Sequence, residues 1–129
     1  MDNKAGDFRD LEVWQKCKVL RKDLWKVSKT FPAEEKYRLA DQVIRASRSV
    51  TACIAEGYGR FHYQENIQFC RQARGSLYEL IDHIDVAEDC EYVGDDKSEE
   101  LIAFIKKCIW ILNGYIKHLK KQKELYRSS

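Results

Sequence analysis

The chain has 129 residues, 44% of them hydrophobic, which is the length and composition of one globular domain with a single core. Its 23 basic and 21 acidic residues nearly cancel to a net charge of +2, so it lacks the high net charge and low hydrophobicity of disordered chains. The longest apolar runs have five residues, whereas a membrane-spanning helix needs about 20. The first ten residues contain no apolar stretch of the kind found in secretory signals. We therefore expect a single cytoplasmic domain over residues 1–129, with no membrane contact.

Breaks in the sequence divide the chain into four segments. One proline and six glycines in the whole chain favour a few long helices over many short strands. The breaks fall around Pro32, at Gly57-Tyr58-Gly59 and at residues 92–96. Because short connections make neighbouring long helices antiparallel, the predicted fold class is all-α, an antiparallel up-down-up-down four-helix bundle. The predicted helices cover residues 9–29, 35–57, 63–91 and 97–124, followed by a tail over 125–129.

Each segment places apolar residues at alternating spacings of three and four, which is typical of a helix with one buried seam. None of the segments alternates with the period of two that a strand requires. Four of the five cysteines lie on these seams, where a buried thiol packs like a small apolar side chain. In chain order the seams are Val13, Cys17, Leu20, Leu24, Val27 and Phe31; Leu39, Val43, Ala46, Val50, Cys53 and Gly57; Cys70, Ala73, Leu77, Leu80, Ile84 and Ala87; and Leu101, Ile105, Cys108, Leu112, Tyr115 and Leu119.

Two of the predicted helices carry more apolar residues than one core-facing seam needs. On a helical projection, Trp14 and Trp25 lie beside the seam of the first helix instead of on it. In the fourth helix, Ile102 and Ile109 belong to a second apolar row, and Trp110 adds further apolar surface. These side chains either cover the edges of one bundle or contact another subunit, since aromatic residues are enriched in subunit interfaces. We expect a homo-oligomer whose candidate interface contains all five residues.

Charge is unevenly distributed along the chain. Residues 81–100 contain nine acidic residues and one basic residue, whereas residues 101–129 contain seven basic residues and one acidic residue. In an antiparallel bundle these stretches lie mostly at opposite ends. The basic surface is either an ordinary solvated face or a contact for nucleic-acid phosphates, which needs cationic density but no particular motif. The candidate nucleic-acid-binding residues are Lys18, Arg21, Lys22, Arg60, Lys117, Lys120, Lys121 and Lys123.

The sequence contains none of the usual catalytic or metal-binding patterns. No two cysteines have a C-x-x-C spacing, and no phosphate-binding loop, nucleophile elbow or H-E-x-x-H motif occurs. Glu79 and His83 lie one turn apart on the third predicted helix, where an ion pair is a better interpretation than a shared metal ion. We expect no enzymatic activity, no cofactor, no metal ion and no small-molecule substrate.

The middle of the chain carries a distinctive combination of motifs. Ile54-Ala55-Glu56-Gly57 closes the second predicted helix, and Ala73-Arg74-Gly75-Ser76-Leu77 lies within the third. With Phe31-Pro32 before them and Phe8 at the front, nearly the whole chain resembles the 23S rRNA intervening-sequence proteins. This resemblance implies a bacterial four-helix bundle, a homopentamer and contact with RNA or DNA, with no established enzymatic activity. It also implies a relation to the accessory variability determinant of diversity-generating retroelements, a basic pentamer that works with a reverse transcriptase.

Two positions depart from the pattern of that family. Cys53 stands where the family usually has Asn, so a polar interaction of that amide is absent or replaced in this chain. His62 stands where a serine would cap the third helix, and histidine is the poorer cap. Neither difference alters the predicted fold.

The acidic residue of the motif has a structural interpretation. Glu56 lies in the last turn of the second predicted helix, where a carboxylate opposes the helix dipole and calls for a cationic partner. Arg45, Arg60 and Arg74 are the candidate partners. We expect the resulting ion pair to connect the second and third helices; the other interpretation of Glu56 is a functional site.

The glycines of the motif predict two backbone features. Gly57 can end the second helix in a left-handed conformation. Gly75 lies in mid-helix, where a glycine costs about 1 kcal/mol relative to alanine, so we expect another helix to pack closely against it.

Two classes of function remain open. The favoured one is a non-catalytic oligomer that contacts RNA or DNA through its cationic surface, as an accessory to a nucleic-acid enzyme. The other is a protein-interaction scaffold whose basic end meets an acidic surface. Binding that weakens steeply with salt concentration would indicate the first class.

Overall fold

A computed structural model describes residues 6–128, so residues 1–5 and 129 of the predicted domain lie outside the described part. Two short 3₁₀ turns, Phe8–Asp10 and Ala33–Glu35, precede the first and second α-helices. None of the helices in the described range is both long enough and apolar enough to cross a membrane. The α-helices are α1 (Glu12–Ser28), α2 (Leu39–Gly59), α3 (Tyr63–Asp89) and α4 (Asp95–Ser128), which confirms the predicted fold class.

Side-chain contacts between α3 and α4 define the relative direction of these helices. In the middle of the bundle Arg74 donates a hydrogen bond to Asn113 Oδ1 at 2.8 Å, and near one end Ser98 donates to Glu88 Oε1 at 3.2 Å. From the first contact to the second, the residue number rises from 74 to 88 on α3 and falls from 113 to 98 on α4. The two helices are therefore antiparallel.

The four helices contact one another in cyclic order. Contacts join α1 to α2, α2 to α3, α3 to α4 and α4 to α1. Within residues 6–128, no Cα atoms of the diagonal pairs, α1 with α3 and α2 with α4, approach within 8 Å. Each helix therefore buries one face against two neighbours, as in an up-down-up-down bundle.

The core consists of the seams predicted from the sequence. Of the predicted seam residues, Cys53 and Tyr115 are half-buried and all the others are buried. Cys17 of α1 and Cys108 of α4 are neighbours in this core, where a contact between the two thiols and burial raise the pKa of Cys17. The Cys17 thiol is therefore protonated, and both buried cysteines pack within the apolar core, as the sequence predicted.

The second helix begins later than predicted. It starts at Leu39 instead of residue 35, because Ala33–Glu35 forms a 3₁₀ turn. Glu35 Oε1 accepts the Leu39 N–H at 3.3 Å, and Glu35 Oε2 accepts the Tyr92 hydroxyl at 2.7 Å. The carboxylate thus caps the start of α2 and links it to the turn that follows α3.

The fourth helix ends later than predicted. The tail proposed for residues 125–129 is wrong for the described residues, since α4 continues to Ser128. The Tyr126 ring stacks on the Tyr63 ring of α3 with 5.7 Å between the centroids. This contact packs the last turns of α4 against α3. The predicted end of the helix followed the apolar seam, and these turns extend beyond the last seam residue, Leu119.

Gly57 has a different role from the one predicted. It has no positive φ, and α2 continues past it to Gly59, while the left-handed residue in this turn is Phe61 with a φ of 60°. A Cβ atom added at Gly57 would lie 2.7 Å from Asn66 Oδ1 and 2.9 Å from Phe69 Cβ. Glycine is therefore required here because α3 approaches the backbone of α2 closely.

The prediction of close packing at Gly75 is wrong. A Cβ atom added at this exposed position would meet no atom within 4 Å, apart from the local helix backbone and chain neighbours. Spacing along one helix does not reveal which side a neighbouring helix occupies, and Gly75 lies on the solvent side of α3.

We expect substitutions of these two glycines by alanine to have opposite effects on stability. Gly75→Ala should raise the free energy of unfolding by about 1 kcal/mol, because alanine favours a helix and meets open space. Gly57→Ala should lower it by about 1 to 3 kcal/mol, because the added methyl group overpacks the contact with Asn66 and Phe69. Urea denaturation of both variants measures the difference. A stabilised Gly57→Ala variant would contradict the close approach of α2 and α3.

Candidate nucleic-acid interface

One end of the bundle brings together basic residues from α3 and from the C-terminal third of α4. Lys123 donates a hydrogen bond to Gln64 Oε1 across the two helices, and Arg74 contacts Asn113 about three turns further along α3. Between these two contacts α4 exposes Lys117 and Lys120. Four of the predicted cations, at positions 117, 120, 121 and 123, therefore share this end of the bundle.

Two arginines of α3 belong to the same surface and were not among the predicted binding residues. Arg74 contacts α4 directly, and Arg71 lies one turn before it and two turns after Gln64, on the same face of the helix. This spacing along the sequence could have identified both arginines. We define the basic end as the surface that runs from the last turns of α4 to Arg74 near the middle of the bundle: Arg60, Arg71, Arg74, Lys117, Lys120, Lys121, Lys123 and Arg127.

The predicted cations of α1 lie apart from the basic end. Arg21 donates a hydrogen bond to Thr51 Oγ1 of α2 at 2.8 Å, so it lies along the contact between α1 and α2, on the opposite side of the bundle from the contact between α3 and α4. The Lys18 ammonium lies 5.5 Å from the centroid of the Trp14 ring, and Lys22 is exposed. The fold therefore divides the predicted binding residues into two surfaces.

Acidic residues occupy the opposite end, where α3 ends and α4 begins. The nearby carboxyl group of Asp95, together with desolvation, raises the pKa of Glu88, and the hydrogen bond from Ser98 opposes that shift. The separation of charge predicted from the sequence follows from the antiparallel arrangement of α3 and α4.

Replacing Glu88 by Gln should raise the thermal midpoint at neutral pH. A carboxyl group whose pKa is higher in the folded than in the unfolded protein binds a proton more readily in the folded state. Protonation of Glu88 therefore stabilises the wild type as the pH falls. The glutamine keeps an acceptor for Ser98 and removes the repulsion from Asp95. The two midpoints should therefore converge as the pH approaches 4.5, the ordinary pKa of glutamate. Glu99→Gln removes an exposed charge from the same end, and an equal gain in that control would contradict specific repulsion at Glu88.

Arg60 provides the predicted ion pair with Glu56. Its guanidinium lies 3.0 Å from Glu56 Oε2 and 3.6 Å from Glu65 Oε2, and 5.3 Å from the centroid of the Phe69 ring. Because Glu65 and Phe69 belong to α3, the arginine connects the end of α2 to the next helix. All three charged side chains are about half exposed, so the pairs contribute little stability and mainly orient the turn.

The other candidate partners of Glu56 make different contacts. Arg45 pairs with Asp41 one turn away at 2.8 Å, so the suggestion that it pairs with Glu56 is wrong. Arg74 contacts Asn113 of α4. Both side chains lie too far along the bundle from the end of α2.

A buried polar contact connects α3 to α4 beneath the basic end. Asn66, which is 1% exposed, donates to the Tyr115 hydroxyl at 3.2 Å and accepts from the Cys70 thiol at 3.5 Å. Burial raises the pKa of Tyr115 to about 12. The hydroxyl is therefore neutral, and the contact satisfies polar groups that would otherwise be costly to bury.

Three of the five candidate interface residues are at least half-buried within the bundle. Ile109 is 6% exposed because it lies on the core side of α4, three residues before Leu112, so its place in an exposed interface is wrong. Ile102 and Trp14 are half-buried, and the Trp14 ring packs edge-on against Phe8 with 5.2 Å between the centroids.

The two remaining tryptophans are exposed. Trp25 is 42% exposed, and the Lys29 ammonium lies 4.0 Å from its ring centroid. Trp110 is 75% exposed and lines a groove of about 530 Å³ between α4 and the start of α1, together with Leu11 and Ile111. Trp25, Trp110 and this groove are the most exposed parts of the predicted interface in the single chain.

The pair Glu79 and His83 forms the contact expected from its spacing. The His83 Nε2 atom lies 3.0 Å from Glu79 Oε2. Among residues 6–128, no group of three or more His, Cys, Asp or Glu side chains is placed to hold a metal ion. Glu79 and His83 therefore form a local pair one turn apart on α3.

These features define a class of small all-α proteins, antiparallel four-helix bundles with one basic and one acidic end. A family model described as 23S rRNA-intervening sequence protein matches residues 9–114, and the chain belongs to this family. No curated protein matches the chain significantly. The matched region ends before Lys117, so the four lysines of the C-terminal part of α4 lie beyond it.

Proposed function

We propose that the protein is a non-catalytic homo-oligomer that contacts RNA or DNA through its basic end, as an accessory factor to an enzyme that acts on nucleic acid. The observation that carries this proposal is the concentration of eight lysine and arginine residues in one half of the bundle, where they outnumber acidic residues such as Glu56, Glu65 and Glu124. Contacts with phosphates need such density and no specific motif.

The distribution of charge supports the proposal although the net charge is only +2. On α3, Glu88 at the acidic end lies about 36 Å from Gln64, the partner of Lys123, and about 21 Å from Arg74, the member of the basic end nearest to it on this helix. Screening by salt acts over about 8 to 10 Å at physiological ionic strength. The acidic end therefore does not cancel the attraction of the basic end for a phosphate backbone.

We further propose that the chain forms a homo-oligomer, and that it is the homopentamer implied by the family resemblance. Trp110 and the adjacent groove supply apolar surface that a second copy would cover, in keeping with the enrichment of aromatic residues in interfaces. Symmetry would then repeat the basic end and increase the local density of cations. The proposal places this assembly in the cytoplasm of a bacterium, without a cofactor, a small-molecule substrate or a catalytic role.

The alternative is a protein-interaction scaffold that binds no nucleic acid. The observation in its favour is the presence of oppositely charged ends on one bundle, since the basic end of one molecule complements an acidic surface on another. Both proposals predict binding that depends on salt, but only the first predicts binding to an isolated oligonucleotide.

Titration of a labelled nucleic acid at several salt concentrations tests the first proposal. The variant Lys120→Gln, Lys121→Gln, Arg127→Gln removes three exposed cations of the basic end. Its affinity at low salt should fall about ten-fold or more, and the slope of log affinity against log salt should decrease by about 0.9 for each phosphate that the variant no longer neutralises. The control Lys26→Gln, Lys36→Gln, Lys97→Gln removes the same charge near the acidic end and should change binding much less. Wild-type protein that binds neither RNA nor DNA at low salt would exclude the proposal.

Light scattering tests the oligomer independently of nucleic acid. We expect a mass near five times the 15.2 kDa of the chain. Trp110→Lys should shift the mass toward the single chain, because a charge replaces the exposed ring in the proposed interface. Tyr78→Lys alters another exposed aromatic residue, on α3, and should leave the mass unchanged. A wild-type mass of 15.2 kDa at micromolar concentration would contradict the oligomer.

A further inference from the structure

The turn between α2 and α3 and the last turns of α4 place exposed aromatic rings among the cations of the basic end. Phe61, in the turn, is 71% exposed, and Tyr126, near the end of α4, is 64% exposed. Tyr126 stacks on Tyr63, only two residues after Phe61, so Phe61 and Tyr63 lie within about 7 Å of each other along the backbone. The rings are therefore parts of one surface, which we call the aromatic turn: Tyr58, Phe61, Tyr63 and Tyr126.

Phe61 is unfavourable in this position both for its backbone and for its side chain. Its φ of 60° lies in the left-handed region, which is an outlier for a bulky residue and is more readily adopted by glycine or asparagine. Its ring is exposed to water and lies 6.5 Å, centroid to centroid, from the Tyr58 ring. Glu91 has the same conformation after α3, with a φ of 63°, so a left-handed residue ends both helices; it is the exposure of the Phe61 ring that points to a role at the surface.

Tyr63 and Tyr126 extend this aromatic surface. Their rings are 25° from parallel, so Tyr126 stacks on Tyr63. Lys123, one turn before Tyr126, contacts Gln64 next to Tyr63, and Arg60 and His62 flank Phe61 in the sequence. Arg60, which also pairs with Glu56 and Glu65, thus adjoins Phe61, and Lys123 lies beside the Tyr63 and Tyr126 pair.

This combination matches the recognition of single-stranded nucleic acid. Proteins that bind single strands use cations along the backbone and aromatic side chains on which bases stack, and the stacking tolerates any base sequence. A duplex keeps its base faces covered by neighbouring pairs, so it would engage the cations and leave the rings unused. An acidic peptide would likewise use only the cations.

We infer that the aromatic turn, together with the surrounding cations, binds unpaired nucleotides, and that the protein prefers single-stranded over double-stranded nucleic acid. This inference rests on the proposed nucleic-acid function and specifies the form of its ligand. Phosphates lie against the basic end, and bases stack on Phe61 and on the Tyr63 and Tyr126 pair.

Fluorescence anisotropy with a short labelled oligouridylate and with a duplex of equal length tests the inference on the full chain. Phe61→Asn removes the ring and places a residue that tolerates a positive φ, so the variant should melt at a higher temperature than wild type. Its affinity for the single strand should nevertheless fall about ten-fold, the loss of roughly one stacked base, while its affinity for the duplex stays constant. Phe61→Trp should retain single-strand binding.

A second pair of variants tests the C-terminal ring. Tyr126→Ser should weaken binding of the oligouridylate, and Tyr78→Ser, which removes an exposed tyrosine away from the turn, should not. Equal affinity of the wild type for both probes, or unchanged single-strand binding by Phe61→Asn and Tyr126→Ser, would overturn the inference and leave the proposed function standing. Failure of the wild type to bind either probe at low salt would instead overturn both.

Discussion

The antiparallel contact between α3 and α4 determines where the charges of this protein lie. The acidic residues of 81–100 lie in one stretch of sequence around the turn between α3 and α4, so they would be close together in many arrangements of the helices. The basic end is different, because Arg74 and Lys123 are far apart in the sequence and share one surface only because α4 returns along α3. The hydrogen bonds from Arg74 to Asn113 and from Ser98 to Glu88 set that register.

A second constraint positions the turn that carries Phe61. The absence of a side chain at Gly57 lets α3 approach α2, and Arg60 connects the end of α2 to Glu65. Directly below, Asn66 binds Tyr115 of α4 in the buried part of the same end. The turn between α2 and α3 is therefore held by contacts on both sides. These contacts fix the position of Phe61 in the turn, relative to the C-terminal turns of α4.

The helical seams could be predicted because burial in a bundle follows a repeat that is visible in one helix at a time. Errors arose where a prediction required knowledge of a neighbouring helix. Ile109 was assigned to an exposed row, yet α4 buries a broad face against both α1 and α3. Gly75 was expected to mark close packing and faces solvent, whereas Gly57, expected to end a helix, is the site of close approach. The sequence did not identify Phe61 as a candidate site residue, since neither its φ nor its exposure can be predicted from the residue type.

By itself, the sequence determined that four helices form, which of their faces are apolar, and that acidic and basic residues are segregated along the chain. These properties depend on periodicity and composition, which are local. Only the tertiary structure decided that Arg74 contacts α4, that Arg21 contacts α2 instead, and that Tyr63, two residues after Phe61, stacks on Tyr126. Each of those relations depends on the register between helices, which arises from contacts such as that of Gly57 with Asn66, between residues on different helices.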